Sequence, residues 1–381
     1  MLQFLEKIAR TALVAVASIG LFVLSCSRQK SAPKWQPQNS GVTASFRGLS
    51  AASSNVAWVT GTQGTVLRTI DGGESWQKSA VPGADSLDFR DVEAFDTKTA
   101  LLMSAGTGEA SRIYRTDDGG QSWQLLYTNT LANGFFDGMA FWDREHGMLY
   151  GDPIDGKMFV MTTADGGFTW QRVPPDALPE MNAGEYGFAA SGTGIAVSDT
   201  ASVWIGTGGA AARVFYSHDR GQNWAVAETP LISGEASTGI FSIAFADAQN
   251  GIVVGGDYQQ PNATTATVAR STDGGQSWQL VESGAPVSFR SAVAYLPGTG
   301  GPQLVAVGSH GASYSTDGGA TWIDLGEAGY HALSIDPDGK SIWAAGGEGR
   351  IAKLTGFGRK VIDEVERKVN QMMDDGKGKD D

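Results

Sequence analysis

The chain has one cysteine, Cys26, in 381 residues, so no disulfide can form within it and no thiol pair can carry redox chemistry. Histidine is nearly as scarce. His146, His218, His310 and His331 lie scattered without metal-ligand spacing, and each is expected at the surface or in a turn. Positive charge is in short supply too. Against 41 Asp and Glu stand 28 Lys and Arg, a formal net charge of −13. Such acidity argues against nucleic acid as a partner, because phosphate binding needs clustered Lys and Arg. No glycine-rich stretch has the strand-to-helix setting of a phosphate-cradling loop, so no nucleotide cofactor, and no cofactor of any other kind, is expected. Asp152-Pro153-Ile154-Asp155-Gly156 reads as a turn without the remaining ligands of a calcium loop.

Long apolar runs are also missing, with one exception. Thr11 to Leu24 is an apolar stretch of 14 residues behind Lys7 and Arg10, too short to span a bilayer and suited to a secretory signal. Val23-Leu24-Ser25-Cys26 follows it and resembles a bacterial lipobox, with Val23 where Leu is usual. That resemblance implies a signal peptide over 1–25, cut before a lipidated Cys26. Residues 26–34 are then a tether, and its Arg28, Lys30 and Lys34 would face anionic headgroups. The implied address is the bacterial cell envelope, extracytoplasmic and lipid-anchored to a membrane. Losing Glu6, Lys7 and Arg10 takes the mature charge from −13 to −13 − 1 = −14.

What the chain does have is 52 glycines and a tryptophan period. Trp35, Trp76, Trp123, Trp170, Trp224, Trp278 and Trp322 recur every 41 to 54 residues. The last six close the phrase Ser/Thr-x-Asp-x-Gly-x-x-Trp, whose carboxylates are Asp71, Asp118, Asp165, Asp219, Asp273 and Asp317. Each phrase joins two short runs of β-formers and reads as a hairpin turn. Hydroxyl and carboxylate take up turn N–H groups, glycines supply positive φ, and the tryptophan folds back over the turn. Six equivalent carboxylates point to a shared folding role, not to catalysis or a metal. Such phrases are called Asp boxes, and a period of this length signals a repeat architecture.

Each unit reads as three strands, an Asp-box turn and an outer strand: in the first, Ser45–Ala51, Val56–Gly61, Thr65–Thr69 and Trp76–Ser79. Four strands in such a span make the blade of a β-propeller. Inner strands are expected to begin near Phe46, Phe89, Phe136, Tyr186, Phe241, Phe289 and Tyr330, giving seven blades over 35–356 in an all-β fold. The last unit has only three strands of its own, Tyr330–Ile335, Ser341–Ala345 and Arg350–Leu354, and lacks a box. Trp35-Gln36-Pro37 matches Trp76-Gln77-Lys78, so the N-terminal strand is expected to complete that blade and close the ring, leaving no long free edge. Residues 357–381 read as a short amphipathic helix, with Val361, Ile362, Val365, Val369 and Met372 at helical spacing, and a polar tail.

Aligning the inner strands brings Arg47, Arg90, Asp137, Tyr186, Phe241, Arg290 and His331 to one ring at the channel mouth. Arginine forks suit carboxylates, phosphates and acidic peptides. The set is therefore either an anion-binding pocket or a group of structural ion pairs with Asp88, Asp91, Glu93 and Asp137.

The seven Asp-box units, the lipobox and the phrase from Gly61 to Trp76 resemble the photosystem II assembly and stability factors over roughly Trp35 to Thr355. The resemblance implies a seven-bladed propeller that binds protein or acidic peptide partners in assembly and catalyses nothing. A second resemblance is to sialidases and other Asp-box glycoside hydrolases, which hold a carboxylate with three arginines and use a Tyr/Glu pair with an Asp acid. Arg47, Arg90, Arg290, Tyr186 beside Glu185, and Asp137 match that inventory, and a glycan is then the ligand. The order does not match: Phe46-Arg47-Gly48-Leu49 stands where that family has an Arg-Ile-Pro phrase, its blades number six, and its tyrosine comes late in the chain. A paired-carboxylate glycosidase built on Asp91, Glu93, Asp137 and Glu185 is the remaining enzymatic expectation.

Overall fold

Alternating β-formers and glycine turns fold here as the tryptophan period predicts. The computed structural model describes residues 32–198, 200–282, 287–299 and 302–357. Cys26, the signal segment and the C-terminal helix lie outside those residues. The described chain forms seven antiparallel sheets and two one-turn 3₁₀ segments, Gly108–Ala110 and Pro175–Ala177. Blade 1 is Phe46–Ala51, Ala57–Gly61, Val66–Thr69 and Gln77–Ser79, within a residue of the boundaries read from sequence. The inner strands of blades 2 to 7 are Asp88–Ala94, Phe136–Phe141, Ile195–Ser198, Thr238–Phe245, Ala292–Tyr295 and Ala332–Ile335.

The ring closes as expected. Lys34–Gln38 pairs antiparallel with Ile351–Thr355, with Trp35 opposite Leu354, and forms the fourth strand of blade 7. Seven apolar clusters fill the seven seams between blades. One joins Phe46, Val59 and Leu67 of blade 1 to Trp343, Ala345 and Ile351 of blade 7. Another joins Trp58 and Val66 of blade 1 to Phe89, Leu102 and Tyr114 of blade 2. Each blade thus buries both its faces against neighbours, which is why its middle strands read as nearly unbroken apolar runs.

The Asp boxes hold the outer turns, and all six use one hydrogen-bond set. In the first, the Thr69 hydroxyl donates to Asp71 Oδ1 at 2.8 Å and accepts the Gly73 N–H at 2.8 Å, while the Ser75 N–H donates to Asp71 Oδ1 at 3.0 Å. The last repeats it at Ser315, Asp317, Gly319 and Thr321. Gly73 sits at φ 90°, where a side chain would be strained. These bonds pull the carboxylates down, Asp118 and Asp219 to about 2, which marks them as structural anions. The box tryptophans reach across the seams: Trp123 meets Trp58 of blade 1 edge-on at 5.7 Å, and Trp76 meets Trp343 of blade 7 at 5.8 Å.

Blade 4 departs from the sequence alignment. Its inner strand starts at Ile195, not near Tyr186. Glu185–Tyr186 instead pairs with Gly208–Gly209, and that pair attaches to the inner edge of blade 5 through Gly208 and Gly239. The wider tryptophan spacing at this point reflects an inserted loop that crosses the channel end, and an aromatic beside a glycine imitated the start of an inner strand.

Candidate functional site

The innermost strands of blades 1, 2, 3 and 5 each slip register by one residue near their start. The slips fall between Phe46 and Gly48, Phe89 and Asp91, Phe136 and Gly138, and Ile240 and Ser242. The skipped residues are Arg47, Arg90, Asp137 and Phe241. A bulge leaves one residue out of the ladder and re-aims its side chain, which is a device often found beside binding sites.

Around this end lies a cavity of about 310 Å³, lined by Arg47, Arg90, His331, Phe188, Phe241, Phe289, Tyr258 and Ser309 with the backbone around Ala189 and Ala190. Four residues of the aligned ring therefore come together: Arg47, Arg90, Phe241 and His331. No Asp or Glu is among the lining residues.

The two arginines differ. Arg90 is held by its surroundings, with Nε 2.6 Å from Asp88 Oδ2 and an Nη donating to the Ala189 carbonyl at 2.9 Å. It is a structural ion pair at the rim. Arg47 is half-buried, and among the described residues its guanidinium makes no hydrogen bond and no ion pair. Burial first, and then the neighbouring Arg90 charge, lower its pKa to about 10, with Asp88 acting the other way. It remains a cation at neutral pH. His331 lies beside them, and burial together with Arg47, Arg350 and Arg90 pushes its pKa down to about 4, so its ring is neutral at pH 7.

The other ring members lie elsewhere. Arg290 turns into its own blade, where it donates to Ser288 Oγ at 2.9 Å, the Phe289 carbonyl at 3.0 Å and Ser313 Oγ at 2.8 Å. It is buried and does not line the cavity: two hydroxyls and a carbonyl of its own blade hold its Nη groups, while its Nε is buried without a hydrogen-bond partner among the described residues. Asp137 is buried beneath the mouth. Burial and the charge of Asp152 hold its carboxyl well above the usual range, opposed by Arg90. Gly187 seals it: a Cβ there would lie 2.4 Å from Asp137 Oδ2. Tyr186 sits on the inserted loop, with its hydroxyl donating to the Ala236 carbonyl and its ring 5.5 Å edge-on from Phe188.

None of the carboxylates of the glycosidase expectation lines the cavity. Glu185 is buried in a fork with Arg213, whose Nε lies 3.0 Å from Oε1. Asp91 accepts the Val92 and Met139 N–H groups at 2.8 Å each, bracing blade 2 against blade 3. Glu93, two residues along the same strand, is raised to about 8 by burial and by Asp91. Among the described residues no cluster of His, Cys, Asp and Glu could hold a metal.

Sequence reasoning placed Phe241 on the ring but missed Phe188 and Tyr258, which make the rest of the aromatic wall with it and Phe289. Phe188 stacks on Phe241 with centroids 3.9 Å apart and planes 13° apart, and Phe241 meets Phe289 edge-on at 4.8 Å. Tyr258 completes the wall and is 48% exposed. Phe188 and Tyr258 come from loops, which strand alignment cannot register.

Comparison with known proteins agrees with this architecture. The family model for the photosynthesis system II assembly factor YCF48 matches residues 27–134, the first two blades and the strand before them. Among solved structures, YCF48 bound to a D1 peptide superposes with a TM-score of 0.61 at 16% identity, covering 84% of this chain and 96% of that one. YCF48 from Cyanidioschyzon merolae gives 0.56 at 16% identity, covering 84% and 98%. A GH74 xyloglucanase from Xanthomonas campestris gives 0.58 at 18% identity, covering 84% of this chain and 53% of the enzyme. No curated protein sequence matches the chain. At these identities the structural likeness speaks for the fold alone, and fold does not fix function. The chain is a seven-bladed propeller of the BNR, or Asp-box, type, and its first two blades match the YCF48 family model.

Proposed function

We propose that this propeller is a binding protein that captures a carboxylate-bearing segment of another protein at the channel mouth, in an assembly or scaffold role. The observation that carries the reading is Arg47. Evolving a half-buried guanidinium with no partner is costly unless a ligand supplies one. An arginine fork takes up a carboxylate with two parallel N–H···O bonds. No Asp or Glu lines the cavity, and the nearby Asp88 is already paired with Arg90, so an acidic group entering the mouth meets no opposing carboxylate among the lining residues. The peptide-bound YCF48 supports the same reading by likeness of fold.

The proposal includes the address expected from sequence: a lipid on Cys26 and a short basic tether would hold the ring at the outer side of a membrane, where a membrane protein under assembly presents its segments. Binding of short labelled acidic peptides to the purified chain tests the reading. Capture that weakens as salt rises is the expected result. Absence of capture, together with turnover of an aryl-glycoside or a glucan, would replace it with the glycoside hydrolase alternative.

A further inference from the structure

The mouth is divided by the blade order. His331, Arg47 and Arg90 come from blades 7, 1 and 2, which are neighbours in the ring. Phe188, Phe241, Tyr258 and Phe289 come from the loop before blade 4 and from blades 5 and 6, the opposite arc. One cavity therefore has a cationic side and an aromatic side. The aromatic side is a built surface: Phe241 and Phe289 are buried, Phe188 stacks on Phe241, and Tyr258 stands exposed at the rim. A binding-site volume near 310 Å³ lies at the small end of ligand pockets and suits one side chain with its backbone, not a folded surface.

Resting on the peptide-binding reading, we infer that the mouth selects a peptide segment in which an aromatic or branched aliphatic side chain sits next to a carboxylate. Arg47 takes the carboxylate and the Phe188–Phe241–Tyr258 wall takes the apolar side chain. The two halves are complementary in the way binding hot spots are, a charge-assisted contact beside a desolvated aromatic pocket. A purely acidic segment would leave the aromatic wall wet, and a purely apolar one would leave Arg47 unpaired in a half-buried setting. Either a side-chain carboxylate or a chain-terminal one meets the requirement, since both present the same two oxygens to the fork.

The test uses four labelled peptides on the full-length protein, read by fluorescence anisotropy. One carries Phe next to Asp internally, one ends in Phe with a free carboxylate, one replaces Phe by Ser beside Asp, and one replaces Asp by Asn beside Phe. The inference expects one or both of the first two to bind at least about fivefold more tightly than the last two, and which of them wins identifies the source of the carboxylate. Tyr258→Ser is the companion variant, because Tyr258 is 48% exposed at the rim, and its folding is checked first by thermal unfolding. It should lower affinity for the Phe-containing acidic peptides and leave the Ser-Asp peptide unchanged. Equal binding of the Phe-Asp and Ser-Asp peptides, unaffected by Tyr258→Ser, would overturn the inference while peptide binding itself stood. Failure of all four peptides to bind would remove the peptide-binding reading and this inference with it.

Discussion

Trp35 and Tyr330, nearly 300 residues apart in sequence, meet at blade 7 with ring centroids 5.0 Å apart. The contact lies in the seam between blades 6 and 7, where Trp35 packs with Leu333, Leu354 and Ala292. The strand that carries Trp35 contributes the outermost ladder of blade 7, so loss of the indole weakens both the seam and the closure. Trp35→Ala is expected to cost about 3 kcal/mol, the lower end for a large aromatic, because the ring is only partly buried. Urea unfolding followed by tryptophan fluorescence checks it; a loss under about 1 kcal/mol, the scale of surface changes, would mean the N-terminal strand does not close the ring.

The Asp boxes make a second prediction. Ser315 is fully buried, and its hydroxyl both donates to Asp317 and accepts the Gly319 N–H at 2.9 Å. Ser315→Ala leaves that buried N–H without an acceptor and should cost about 1–3 kcal/mol. Ser315→Thr keeps the hydroxyl, as three other boxes do by nature with Thr69, Thr116 and Thr163, and should cost much less. Equal losses for the two changes in thermal unfolding would show that size, not the hydrogen bond, matters there.

The pH profile of stability carries a third. Glu93 is raised to about 8 and Asp91 to about 7 by burial, so the folded state holds protons that the unfolded chain releases above roughly pH 4 to 5. Stability contributed by these two groups is therefore present in mild acid and falls as pH rises toward 8, by up to about 1.4 kcal/mol per pH unit for each proton. The box aspartates act oppositely and much lower: their depressed values add stability above the unfolded carboxyl pKa and lose it as pH falls toward about 2. Glu93→Gln should flatten the decline between pH 5 and 8. An unchanged slope in chemical denaturation would mean that Glu93 is ionised in the folded protein.

How much of this was legible beforehand follows from what each residue depends on. Blade 1 was readable to within a residue because Trp76, Asp71 and the flanking β-formers are local signals. Closure by Trp35 was readable because a missing box in blade 7 left one strand unpaired. Tyr186 was misplaced because the register of an inserted loop is set by contacts with Gly208 and Ala236, which no local pattern encodes. Arg47, Arg90 and Arg290 look alike in sequence, and only the acceptors around them show that Arg90 and Arg290 are held within the fold while the Arg47 guanidinium makes no hydrogen bond among the described residues. Phe188 and Tyr258 reach the mouth from loops, whose course depends on the ring as a whole.

The anchor gives a fourth prediction, for the segment that precedes the propeller. With a lipid on Cys26, Cys26→Ala should move the protein out of the membrane fraction or leave its signal uncut. Cell fractionation with the intact mass of the mature chain checks this. Identical mass and partition in wild type and variant would remove the lipid from the account.

The central claim concerns Arg47, whose fork at the mouth makes no hydrogen bond or ion pair among the described residues. Binding of a labelled acidic peptide is measured for wild type, Arg47→Ala and Arg290→Ala at low salt, after each variant is shown to fold. Losing one charge-assisted contact costs about 1.5–3 kcal/mol, so Arg47→Ala should weaken binding by roughly 10- to 150-fold. Arg290, held by Ser288, Phe289 and Ser313 and turned away from the cavity, should matter for stability and leave affinity within about twofold. The reverse pattern, or peptide affinity indifferent to Arg47, would contradict a carboxylate site at the channel mouth.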